Sequence, residues 1–240
     1  MTEKPILFNA PMVRAVLDDR KLQTRRIAVT KRSGIDFIGG GPKDGPDWND
    51  PTCWGFEDAN TAIWWALRGD EQCRQLPCPY GRPGDRLWVR ETFYAYGRWE
   101  TRFSEKKGRD EWHFIDLTQE MDRIYQFDDP TPAAVRHHRS NTAAWWRRPS
   151  IFMPRAACRT LLEVTATRVE RLQAISETDA EAEGIDFLRH VPDVDETLDA
   201  RGLFRCLWDG LNAAGGYGWD KNPFVWVIDF RREGRECSHS

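Results

Sequence analysis

Nothing in this 240-residue chain is apolar for long enough to span a bilayer, and a mean hydropathy of -0.68 is that of a soluble-type composition. The first residues, MTEKPILFNAPM, lack the apolar core of a signal peptide, so a cytoplasmic location is expected. Cysteine is sparse and scattered: Cys53, Cys73, Cys78, Cys158, Cys206 and Cys237 read as reduced thiols rather than a disulfide framework. The spacing of Cys53, Cys73 and Cys78 matches no common zinc pattern, and neither metal nor other cofactor is expected. Gly39–Gly41 is followed by no GK[ST], which excludes a phosphate loop there. A strong net charge is also missing, the formal value being -3.

That near-neutral total hides segregation. Residues 1–40 hold eight Lys and Arg against four acids, and residues 134–171 hold eight Arg against two Glu. Residues 177–199 invert the balance, with nine acids and one Arg. The two basic stretches either converge on an anionic ligand or are neutralised by the acidic one. Tryptophan is abundant, at twelve, with half in Trp64–Trp65, Trp145–Trp146, Trp219 and Trp226. Indoles of this kind build cores or serve as stacking platforms for bases.

Around Leu17–Ile27 (LDDRKLQTRRI) the chain places Lys21 three residues before Thr24, among Arg20, Arg25 and Arg26. A lysine that has lost its proton can act as general base for a hydroxyl nucleophile. The structural alternative is a basic loop that complements the C-terminus of the preceding helix.

PILFN (Pro5–Asn9) predicts a first strand, and Met12, Val13, Val16 and Leu17 a helix ending near Asp19–Arg20. RRIAV (Arg25–Val29) predicts the next strand. Residues 31–80, rich in Gly, Pro and aromatics, read as a loop-dominated insertion with one short hairpin near Ala62–Leu67. RPGDRLWVRETF (Arg82–Phe93) is a turn feeding a strand, and residues 97–150 are a second, polar insertion of long loops with a short strand or two. Arg159–Gln173 predicts a long strand. Ser176 then starts an S-x-x-D capped helix closed by Gly184, with Ile175 and Ala180 stapling its entry. Asp193–Asp199 reads as an acidic loop. Leu203, Phe204, Leu207, Trp208 and Leu211 mark an amphipathic helix stopped by Gly215–Gly216. Asn222–Arg232 is a closing strand, and Glu233–Ser240 a disordered tail. Many strands with about three helices predict an α+β fold, a partly closed β-barrel with helices over its ends. One domain spanning residues 1–232 with two insertions is expected.

The pieces PILFNAPMVRAVLDDRKLQTRR, PGDRLWVRETF, FMPRAACRTLLEVTATRVERLQAISETDAEAEGI, LWDGLN and NPFVWVIDFRR together resemble the ASCH domains, whose fold is the PUA-like barrel. They are most similar to the large ASCH-like proteins of bacteriophages and prophages. The resemblance covers roughly half the chain and implies a bacterial or phage-infected host cytoplasm. Some ASCH proteins are amidohydrolases that remove the acyl group from N4-acetylcytidine, using a Lys-x-x-Thr after a GRK turn and a Glu after an EVTAT strand and helix. Here DRKLQT supplies Lys21 and Thr24, and DAEAEG places Glu183 at the glutamate's position. Asp19 stands where that pattern has glycine, and the chain is more than twice as long.

The resemblance therefore implies an amidohydrolase acting on N4-acylated cytidine or a related modified pyrimidine, free or in nucleic acid. Lys21, Thr24 and Glu183 would form the catalytic set. Backbone amides or Arg26 are candidates for stabilising the oxyanion, and Arg26, Glu91 and Arg155 are substrate-binding candidates, the last two second-rank. The alternative is a non-catalytic RNA- or DNA-binding module of the PUA-like kind, gripping phosphates with Arg136–Arg171 and bases with exposed tryptophans.

Overall fold

The structure, a computed structural model, describes residues 1–30, 35–38, 63–68, 73–128, 131–190 and 197–234. The chain gathers into two compact units: residues 1–6, 11–88 and 160–240, and residues 7–10 and 89–159.

The chain begins with β1 (Glu3–Leu7), α1 (Ala10–Leu17) and β2 (Gln23–Ile27). α1 turns Met12, Val13, Ala15 and Val16 into the core, as its apolar spacing requires. β2 starts two residues earlier than its propensity suggests, because it takes its register from the last strand of the chain. Thr24 therefore lies inside the strand. Next come β3 (Ile35–Ile38), β4 (Ile63–Arg68) and β5 (Cys73–Pro77), which form an antiparallel three-stranded sheet rather than a single hairpin. The remainder of the first insertion lies outside the described residues.

β6 (Arg86–Arg90) leads into the second unit, where β7 (Phe93–Ser104), β8 (Arg109–Asp116), β9 (Val135–Arg136) and β10 (Ala144–Arg148) follow. They pair in the order β8-β7-β10-β9, with β9 parallel to β10. The expectation of mostly loops over residues 97–150 is thus corrected. The long β7–β8 hairpin escapes a hydrophobicity reading because its outer half alternates charged residues with Trp99, Phe103, Trp112 and Phe114 instead of aliphatics.

β11 (Leu161–Arg171), α2 (Glu177–Ala182), α3 (Ala200–Asn212) and β12 (Phe224–Arg232) return the chain to the first unit. The five-stranded sheet has the order β1-β6-β11-β12-β2. From β6 through β2 its strands pair antiparallel. β1 runs in the same direction as β6, through Arg86 N–H to Thr2 O and Phe8 N–H to Arg90 O.

The α+β class stands, but the sheet is not a closed barrel. At the β2 edge, Leu22 N–H donates to Ala182 O, and Lys21 forms an isolated bridge with Glu183. The end of α2 takes the place that another strand would need for closure.

Ser176 caps α2 by accepting from Asp179 N–H at 3.0 Å, and Ile175 and Ala180 are both buried beside it. Asp199 caps α3 in the same way through Gly202 N–H. α3 buries Leu203, Phe204 and Trp208 against Leu172, Ile175, Trp219, Val225 and Val227, while Leu211 at its far end is exposed. Each fully buried side chain of this size contributes about 1.5–3 kcal/mol. Glu233, expected in a disordered tail, donates its N–H to Leu161 O and pairs with Arg86 at 2.7 Å. Residues 235–240, like 191–196 of the acidic loop, lie outside the described residues. No described helix is long and apolar enough to cross a membrane.

Candidate functional site

The three residues Arg20–Leu22 are where α1 hands over to β2. Arg20 and Lys21 N–H both donate to Ala15 O, and Asp19 adopts a left-handed φ of 56°. Glycine reaches that conformation without strain, and aspartate is among the few other residues that tolerate it. Asp19 takes it here and pairs with Arg232 at 3.1 Å. The turn drives Lys21 inward, leaving it 1% exposed.

At the other side, α2 ends at Glu183, and Gly184 takes φ +71°. A Cβ on Gly184 would lie 2.7 Å from Lys21 Cβ and 2.8 Å from Ala15 Cβ. Glycine is needed both for the turn and for the close approach of α1.

Lys21 Nζ donates to Gln23 O (2.8 Å), Glu183 O (2.8 Å) and Glu183 Oε2 (2.7 Å), which uses all three ammonium protons. The bond to Glu183 O also satisfies a carbonyl at the end of α2. Glu183 Oε1 accepts from Arg25 Nη1 at 3.4 Å. A carboxylate at a helix C-terminus opposes the helix dipole, so these two cations are what keep Glu183 there. Burial pushes the Lys21 ammonium below its ordinary 10.5 and outweighs the opposing pull of Glu183; Arg26 and Arg25 act in the same direction as burial.

Behind the pair lies a polar layer on one face of the sheet. The strand register puts Gln23 and Arg25 on the same face as Val227, Asp229, Arg168 and Glu170. Arg25, whose side chain is fully buried, reaches Gln23 Oε1, Glu170 (3.2 Å), Asp179 (3.3 Å) and Glu183. Arg168 binds Glu170, Asp179 and Asp229, and Gln23 Nε2 bridges Asp179 and Asp229. Three cations thus hold four carboxylates. Every member has at least one partner, although the buried Arg25 Nε has no hydrogen bond, so the layer is nearly rather than fully satisfied.

Thr24 and Arg26 face the opposite side of the sheet. Phe230 N–H donates to Leu22 O and Ala28 N–H donates to Phe224 O. By antiparallel alternation, the backbone groups of Thr24 and Arg26 turn toward β12, and those of Gln23, Arg25 and Ile27 turn away from it. A cavity of about 390 Å³ runs along this outward edge. Met12, Thr24, Arg25, Arg26, Ile27 and Tyr80 line it together with Glu183 and the α3 residues Phe204, Leu207, Trp208, Leu211 and Asn212. Burial lowers Arg26 and raises the Tyr80 phenol, and each group's charge opposes the other's shift. The volume and mixed lining are those of a small-molecule site.

Of the residues expected from the sequence, Thr24, Glu183 and Arg26 line this cavity, and Lys21 is joined to it through its bond with Glu183. Glu91 and Arg155 do not line the cavity. Both belong to the second unit, where Glu91 accepts a bidentate pair from Arg159 at 2.8 Å and Arg155 sits in an exposed turn at Arg155–Ala157. Arg25, Gln23, Arg168, Glu170, Asp179 and Asp229 were not singled out from the sequence. The alternation of Gln23 with Arg25 and of Arg168 with Glu170 was the available signal. Among the described residues no group of three or more His, Cys, Asp or Glu has metal-binding geometry. Comparison with protein-family models, with curated proteins and with solved structures gives no match.

Proposed function

We propose that the first unit is an amidohydrolase site that deacylates N4-acylated cytidine or a related modified pyrimidine. One observation carries the reading: the buried Lys21–Glu183 pair opens, through Glu183, onto a cavity that Thr24 also lines and that Tyr80, Phe204 and Trp208 wall. Flat aromatic walls suit a pyrimidine ring, and Arg26 and Asn212 supply polar groups for its edge. The resemblance of the surrounding motifs to ASCH proteins supports the same chemistry.

The pair also supplies a route around the difficulty that a salt-bridged lysine is a poor base. Burial disfavours both charges, so transfer of a proton along the 2.7 Å contact from Nζ to Oε2 yields a neutral amine beside a carboxylic acid. The amine takes the Thr24 proton as Oγ attacks the acyl carbonyl. Arg25 N–H, turned away from β12 and next in sequence to the nucleophile, is the donor proposed for the oxyanion. Collapse breaks the C–N4 bond while Glu183 protonates the departing cytosine amine. Lys21 and Glu183 are then again an ion pair, and water resolves the acyl-threonine to a free carboxylic acid.

Incubation of the purified chain with N4-acetylcytidine, followed by chromatography, should show cytidine release that Lys21→Ala abolishes. Absence of turnover on the nucleoside, nucleotide and RNA forms would overturn the proposal, as would an undiminished rate in Lys21→Ala.

A further inference from the structure

A sheet face in the second unit takes no part in that chemistry. In the register of β7, β8 and β10, Gly97, Trp99, Thr101 and Phe103 share a side with Trp112, Phe114 and Trp146. Trp99 meets Phe114 edge-on at 5.3 Å and Trp146 at 6.1 Å. Gly97 makes room for this, since a Cβ there would lie 2.6 Å from the Phe114 ring. Farther out, Trp112 is 43% exposed and Phe103 66%. Trp99, Glu100, Thr101, Trp112, Ser140 and Asn141 border an open hollow of about 520 Å³.

The charges around this face are unevenly matched. On the hairpin, Arg98 and Arg102 pair with Glu100, and Lys107 and Arg109 with Glu111. Residues 134–148 are different: they contain Arg136, Arg139, Arg147 and Arg148 and no carboxylate. Among the described residues, no carboxylate lies within ion-pair range of those four arginines. Arg139 and Arg148 instead each stand 4.9 Å from the Trp99 ring centre, and Arg148 also covers Phe114 at 4.3 Å. Asp116, the acid that acts on Arg148 from farther away, is already bonded to Thr118 N–H and Tyr125 O–H.

We propose that this face binds single-stranded nucleic acid, with a base stacked on the exposed Trp112 and phosphates held by Arg139 and Arg148, which the Trp99–Phe114 wall positions. An apolar partner would leave the arginines unpaired under it. An acidic peptide would pair them but has no flat groups for the rings. A single strand brings anions and exposed base faces together, whereas a duplex hides its base faces by stacking.

The test is fluorescence anisotropy of labelled oligouridine and oligodeoxythymidine with the full chain, over a salt series, with heparin as a polyanion control. Trp112→Ala should weaken oligonucleotide binding about five- to hundredfold, leave heparin binding unchanged, and be largely rescued by Trp112→Phe. Arg139→Glu should weaken binding and flatten the dependence on salt. Neither substitution should alter turnover of N4-acetylcytidine nucleoside. Lys21→Ala should do the reverse, which separates failure of this site from failure of the deacylation reading. Absent binding of both strands would overturn the proposal. So would equal weakening of heparin and oligonucleotide by Trp112→Ala, wild-type affinity in that variant, or tighter binding of an acidic peptide than of either strand.

Discussion

Lys21 Nζ lies 2.7 Å from Glu183 Oε2 with side-chain exposures of 0% and 3%, so the two charges share one dry site across 162 residues of chain. Such a pair gives little net stability, but breaking it strands a buried charge, at a cost of about 3–5 kcal/mol. Lys21→Ala should lose stability of that order in urea denaturation. Lys21→Met combined with Glu183→Gln should regain most of it and remain inactive. Full stability together with activity in the double variant would mean that the pair is not part of the chemistry.

Gly184, just beyond α2, packs against Ala15 and Lys21, and its positive φ and the 2.7 Å clearance to Lys21 Cβ both resist a side chain. Gly184→Ala should destabilise by about 1–3 kcal/mol. It should also depress turnover more than stability alone explains, because the clash falls on Lys21. The check is denaturation midpoint and rate measured on the same sample.

Asp19 carries the left-handed turn at φ 56° that glycine would adopt without strain. Asp19→Gly gives up only an exposed pair with Arg232, so stability should stay within about 1 kcal/mol of the parent. Asp19→Val should cost about 1–2 kcal/mol through strain in the turn. Thermal unfolding of the two variants distinguishes conformation from charge as the role of this residue.

Acid should loosen the layer behind the site. Burial pushes the Asp179 carboxyl up, but the hydrogen bond from Gln23 together with Arg25, Ser176 and Arg168 outweighs it and holds the group below its usual 3.8. The unfolded chain therefore binds the extra proton first. The stabilising contribution is complete above 3.8 and is lost as pH falls through the lowered folded value. Urea midpoints from neutral pH down to about pH 3 should fall less steeply in Asp179→Asn than in the parent. Parallel curves would exclude Asp179 as a source of acid sensitivity.

Local signals were legible where one residue type fixes one geometry: the Ser176 cap, the Gly184 stop, the buried stripe Leu203, Phe204 and Trp208, and the apolar face of α1. The meeting of Lys21 with Glu183 was legible through motif resemblance, not through spacing alone. Arg25 was not legible, because an arginine in a basic run reads as solvated surface until the register of β2 against β12 sets it opposite Val227, inside the sheet. The β7–β8 hairpin was missed for a related reason. Its pattern Arg98, Trp99, Glu100, Thr101, Arg102 and Phe103 alternates aromatic with charge, which polarity averaging turns into loop. How far the sheet closes was not legible, since no local feature shows that the end of α2 sits at the edge of β2.

The most direct measurement is peptide mass mapping of Thr24 after rapid acid quench during turnover of N4-acetylcytidine, with Thr24→Val as control. The expected result is an acetyl adduct on the peptide containing Thr24 that appears and decays with cytidine release, and no release in Thr24→Val. Undiminished cytidine release from Thr24→Val, or turnover with Thr24 never acylated, would contradict a threonine nucleophile served by Lys21 and Glu183.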